Sequence, residues 1–140
     1  MVKISYPATF RPDEDGRPVV RFPDLPEAMT DGRDLAEAQD CLGSALASRL
    51  AHKEKVPRPS RPKAGQRPIP VPLWIAPKVA LHWAMLERGV SNSEPARRLG
   101  VRETVVRRML DPDHATKAEK IQRALAIPGK QFLVIVQDAA

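Results

Sequence analysis

Short runs of β-forming residues separated by turn-rich segments fill the first thirty residues, and helical spacing of apolar positions begins near residue 35. Residues 2–10 are rich in β-formers, and residues 19–22 make a second short run. The turn-rich segment Arg11-Pro12-Asp13-Glu14-Asp15-Gly16 between them predicts a hairpin. Prolines break Asp24-Leu25-Pro26-Glu27, so the pattern places a third strand only at Ala28-Met29-Thr30. From Asp34 onward, Leu35, Ala38, Leu42, Ala45, Leu46 and Leu50 recur on one helical face. Asp34 and Glu37 have capping-box spacing at its start. A stripe of that length needs a sheet to cover it, and the preceding strands supply one. Residues 56–67 are rich in Pro, Lys and Arg without any period, as in a domain linker or a semi-rigid extended connection. In Arg67-Pro68-Ile69-Pro70-Val71-Pro72-Leu73 every second residue lacks an amide proton. An extended strand of this kind bonds on one side only, which predicts an edge strand returning to the N-terminal sheet.

The second half changes period. Residues 77–88 predict a helix that starts at a permitted proline and stops at Gly89, with Val79, Trp83 and Leu86 inward. Both Trp74 and Trp83 read as packing residues. Residues 91–110 read as two short helices joined by a tight turn. Ala96 is small where they cross, Gly100 suits the turn, and Leu99, Val101, Val106 and Met109 supply the apolar seam. Ser91 and Glu94 have capping-box spacing; a start at Ser93 instead puts Pro95 in the first turn. A helix-turn-helix of this spacing places its second helix in the major groove of DNA. Arginine can there bond guanine, while Glu and Thr can read cytosine or contact phosphate. The candidate DNA-binding residues are Ser91, Asn92, Arg102, Glu103, Thr104, Arg107 and Arg108. A merely solvated arginine face would not also supply Ala96, Gly100 and Val106 in register.

Thr116 and Glu119 form another capping-box pair, opening a helix with Ala118, Ile121 and Leu125 inward and Pro128-Gly129 at its end. Phe132-Leu133-Val134-Ile135-Val136 is apolar on both faces and predicts a buried strand. The C-terminal half offers no strand to pair with it, so pairing with a second copy of the chain is expected, as an isologous dimer contact.

Charge sharpens this division. Across 140 residues the net charge is +6. Residues 1–56 carry 8 Lys and Arg against 10 Asp and Glu, whereas residues 57–140 carry 15 against 7. The basic character belongs to the half with the paired helices, as an electrostatic footprint on nucleic acid requires. The expected domains are 1–73 and 74–140. Cys41 is the single cysteine, which rules out a disulfide within the chain and suits a reducing interior; it falls on the apolar side of its helix. The N-terminus lacks the apolar core of a signal peptide, and no run approaches the roughly 20 apolar residues of a membrane span. A soluble cytoplasmic protein is expected. His52, His82 and His114 are not at metal-ligand or triad spacing. Asp13, Glu14, Asp15, Asp24, Glu27, Asp31 and Asp34 fall mainly in turns, not on rigid elements that could fix two metals. No catalytic residue, metal or cofactor is therefore expected.

Together these residues resemble the HicB family of antitoxins, in the subgroup with a helix-turn-helix. The matching positions in the first half are Tyr6-Pro7, Gly16, Phe22-Pro23-Asp24-Leu25-Pro26, Thr30, Gly32 and Glu37-Ala38. In the second half they are Pro72-Leu73, Ala96-Arg97-Arg98-Leu99-Gly100, His114-Ala115-Thr116-Lys117 and Gly129-Lys130. Glu27 stands where glycine is common, and Pro95 replaces the usual aliphatic residue. The resemblance implies an α+β chain: a truncated ribonuclease H-like β-β-β-α-β domain, then an all-α helix-turn-helix domain ending in a dimerising β-strand. It also implies a small basic HicA toxin that cleaves messenger RNA, occluded by this chain, and a complex that represses its own operon. Toxin contacts are placed on Asp13, Glu14, Asp15, Asp24, Leu25 and Glu27, and dimer contacts on residues 132–136. A stand-alone repressor with an N-terminal sensing or oligomerising domain is the alternative.

Overall fold

The computed structural model describes residues 3–32 and 34–139. Four antiparallel strands lie in the order β3-β2-β1-β4. They are β1 (Ser5–Pro12), β2 (Pro18–Phe22), β3 (Leu25–Thr30) and β4 (Gln66–Pro70). In the β1–β2 turn the Asp13 carboxylate accepts the amides of Asp15 and Arg17 at 2.9 and 2.8 Å. Strand β3 starts at Leu25, three residues before the proline pattern allows. It is an edge strand, where Pro26 can be placed without breaking a ladder bond. The opposite edge follows the sequence expectation. Ile69 lies opposite Tyr6, and the Val71 amide reaches the Ile4 carbonyl at 3.0 Å.

Helix α1 (Leu35–Ala51) opens as its spacing predicts, with Asp34 Oδ1 accepting the Glu37 amide at 2.9 Å. Ala38, Leu42, Ala45 and Leu46 bury against Tyr6, Ala8, Val20, Phe22, Leu25, Ala28 and Ile69. Cys41 sits half-buried at the margin of this core, and burial pushes its thiol pKa up. Gly43 lets Pro72 and Trp74 approach α1 closely: a Cβ there would lie 3.0 Å from either side chain.

The remaining helices are α2 (Ala76–Arg88), α3 (Ser93–Leu99), α4 (Glu103–Leu110) and α5 (Ala118–Ala126). Helix α2 serves two cores. Val79 and Trp83 complete the sheet core, whereas Leu81, Ala84 and Met85 join Ala96, Val106, Met109, Ile121, Ala124 and Leu125 in a second one. The single inner face expected from Val79, Trp83 and Leu86 is therefore corrected: Leu86 is 66% exposed. Val101, assigned to the seam, is also exposed. Helix α3 begins at Ser93, with Pro95 in its first turn, where an amide would have no helical acceptor. No capping box forms at Ser91; its hydroxyl meets that of Ser93 at 2.7 Å, and Glu94 pairs with Arg98 at 2.8 Å. Gly100 closes α3 at φ 68°, as its amide and that of Val101 return to the Arg97 and Ala96 carbonyls at 3.2 and 2.9 Å. The Thr116–Glu119 box is likewise absent, because the Thr116 hydroxyl is engaged by Lys78 and His114.

Two segments depend on their partners. Residues 132–136 lie in no strand, since this half supplies no neighbouring strand; Phe132 packs on the second core while residues 133–136 are exposed. The proline-rich connection is extended yet fixed at several points. The Trp83 indole donates to the Val56 carbonyl at 3.0 Å, and the Tyr6 hydroxyl donates to that of Pro57. Arg58 lies over the Trp83 ring, 4.4 Å from its centroid, and pairs with Glu87. Ser60 donates to Asp24 Oδ2 from its amide and hydroxyl at 2.8 and 3.0 Å.

Candidate nucleic-acid and partner interfaces

Helix α4 buries Val106 and Met109, three residues apart, and that alone turns the intervening positions outward. Arg102, Glu103, Thr104, Arg107 and Arg108 are all exposed. Among the described residues, no ion pair holds Arg97, Arg102, Arg107 or Arg108, so these guanidinium groups are available to an anionic ligand. Arg98 differs, being bound to Glu94 and, at 3.4 Å, to the Ile127 carbonyl. Ser91 is exposed and Asn92 half-buried at the start of α3, where the Asn92 side chain makes no capping bond. Arg97 was not singled out from the sequence, although its exposed place on α3 and its lack of a partner put it beside the chosen arginines.

Beneath this face lies a residue that the sequence pattern did not flag. Lys78 is 3% exposed. Its ammonium donates to the carbonyls of Arg108 and Met109 and to the Thr116 hydroxyl, each at 3.1 Å. Burial lowers the lysine pKa, and Asp111 partly offsets the effect. A lysine in the first turn of an amphipathic helix gives no local sign that it will be buried.

The acidic residues fare unequally. Glu14 and Asp15 stand exposed at the hairpin tip, whereas Asp13 turns back into the loop. Asp24 is committed to Ser60. Glu27 makes a two-point ion pair with Arg49, whose hydrogen bonds hold the Glu27 carboxyl below its usual pKa. Leu25 cannot meet a partner as the sequence reading proposed, because it is fully buried in the sheet core. Among the described residues, no group of three His, Cys, Asp or Glu side chains could hold a metal ion. No described helix is long and apolar enough to cross a membrane.

Residues 5–80 match the family described as HicB-like antitoxin of bacterial toxin-antitoxin system. The chain belongs to the HicB-like antitoxin family. Similarity to family members extends well past the matched region. The chain is 39% identical over 136 residues to Antitoxin HicB 2 of Photorhabdus laumondii, covering 94% of this chain and 96% of that one. It is 34% identical to Antitoxin HicB of Escherichia coli K12, with 95% and 99% covered. Antitoxin HicB of Pseudomonas fluorescens is 33% identical, with 91% and 90% covered. The helical half of this HicB-like chain is thus shared with relatives at full length, not appended to a foreign domain.

Proposed function

We propose that this chain is the antitoxin of a type II toxin–antitoxin pair. In this reading it occludes a small basic HicA-type toxin that cleaves messenger RNA, and represses its own operon through α4. The observation that carries the DNA-binding part is the α4 face: five polar side chains project outward, with three arginines among them unpaired, from a helix anchored by Val106 and Met109. Arg102, Glu103, Thr104 and Arg107 read base edges, while Ser91, Asn92 and Arg108 contact backbone phosphates. The N-terminal half is the toxin-binding domain, and Glu14 and Asp15 are its most available acidic contacts. Electrostatic steering would speed the encounter of this half with a basic toxin.

Separable halves provide the test. Co-expression with the short basic protein of the adjacent reading frame should restore growth, and the two should co-purify. Arg102→Ala combined with Arg107→Ala should weaken operator binding by about 1–3 kcal/mol per arginine, by fluorescence anisotropy, and leave growth rescue intact. Loss of rescue in the double variant would refute the division of labour.

A further inference from the structure

Helix α4 ends differently from its neighbours. Helices α2 and α3 close on glycines in the left-handed conformation, whose amides and those of the following residues return to the last carbonyls. Asp111, which follows α4, is extended at φ −79° and ψ 118°, and only its amide turns back, to the Arg108 carbonyl at 3.2 Å. The Arg108 carbonyl also accepts the Thr116 hydroxyl at 3.4 Å, whereas the Met109 carbonyl gains no such partner from the turn. Lys78 fills that gap with a buried cation placed at the negative end of the helix dipole. The lysine itself is anchored: its amide bonds to the Ile75 carbonyl at 3.0 Å, and the adjacent Val79 is fully buried in the sheet core. Its third acceptor, Thr116, stands two residues before α5 and also meets His114 Nδ1 at 3.0 Å.

We infer that Lys78 is the positioning residue of the DNA-reading helix: its ammonium fixes α4 and the connection to α5 against α2 without touching DNA. The inference rests on the proposed DNA-binding role of α4 and identifies what sets that helix in register. Sequence-specific contacts tolerate only small displacements of the helix that makes them, whereas nonspecific attraction to phosphates depends mainly on charge.

The experiment compares full-length wild type, Lys78→Met and Thr116→Val on two probes: a duplex selected from a random library by the wild-type chain, and poly(dI-dC). Lys78→Met should lower the ratio of selected to nonspecific affinity at least tenfold, while affinity for poly(dI-dC) and its salt dependence change less than threefold. Thr116→Val, at a half-exposed site that tolerates the change, should lower the ratio by a smaller factor of about three. Equal weakening on both probes by a folded Lys78→Met chain would overturn the inference. So would a wild-type ratio in Thr116→Val, which decides the matter should Lys78→Met fail to fold. Amide hydrogen exchange supplies a readout without DNA. Lys78→Met or Thr116→Val should speed exchange at the end of α4 and in residues 111–117 while the sheet is unchanged; unaltered exchange there would overturn the clamp. Failure of the wild-type chain to select any duplex would sink the proposed DNA binding instead, and exchange would still judge the clamp.

Discussion

Glu27 shows how a single carboxylate can mislead. Its place in an acidic, proline-rich segment suggested a docking contact, yet both its oxygens are held by Arg49. The partner lies 22 residues further along the chain, a separation to which local pattern is blind. The pair is partly exposed, so solvent screening limits its worth, and Glu27→Gln should cost about 0.5–1 kcal/mol at neutral pH. Because folding lowers the Glu27 pKa from its usual 4.5, the contribution is complete above that value and fades as pH falls through the folded one. Urea titrations of wild type and variant should therefore differ at pH 7 and converge in acid. Lys78 is the converse case. Its burial arises only when the end of α4 and the connection to α5 pack over α2. Asp34 needed no such context, since an N-cap acts within four residues and was legible from the start.

At the scale of elements, the sequence pattern identified the five described helices and the proline-bearing edge strand β4, but it placed faces less well than spans. Helix α2 is the instructive failure. A helix touching one core shows one stripe, whereas α2 touches two, and its second stripe of Leu81, Ala84 and Met85 was hidden by the first. The prolines shorten strand β3 in the sequence pattern, whereas an edge position tolerates Pro26. Turn chemistry was the more reliable signal. Gly100 adopts φ 68°, and a Cβ there would meet nothing within 4 Å, so replacement costs backbone strain alone. Gly100→Ala should lower stability by about 1 kcal/mol, as a fall in thermal midpoint, without a steric rearrangement of α3 against α4.

On the whole-molecule scale, the charge asymmetry and the order of elements were legible, while the joining of the halves was not. Of the two readings of residues 56–67, a linker or a semi-rigid extended connection, the second fits, because the segment runs through a relay of contacts. Asp24 holds Ser60, Arg58 spans Trp83 and Glu87, and Glu87 also meets Lys130 at 3.3 Å, beside the apolar tail. No local pattern reports such contacts, because each partner comes from a distant part of the chain. The tail bears on assembly. Leu133, Val134, Ile135 and Val136 are 68, 83, 58 and 92% exposed, an unusual load of apolar surface for a lone chain. If the chain pairs through this tail, as the sequence pattern predicts, removing residues 133–140 while keeping Phe132 should turn dimers into monomers by light scattering and weaken operator binding. An unchanged mass would refute a dimer contact through this tail.

The sharing of α2 also bears on how the protein can be cut. A fragment that stops at residue 72 would carry the sheet and its covering helix but leave vacant the seats of Val79 and Trp83, opening an oily socket to water. Such a piece should bind hydrophobic dyes, whereas one extended to residue 88 fills that socket and should melt more cooperatively, although it bares Leu81, Ala84 and Met85 of the second core. The smallest self-sufficient form of the proposed toxin-binding unit would then contain a helix that the sequence pattern alone places in the other half.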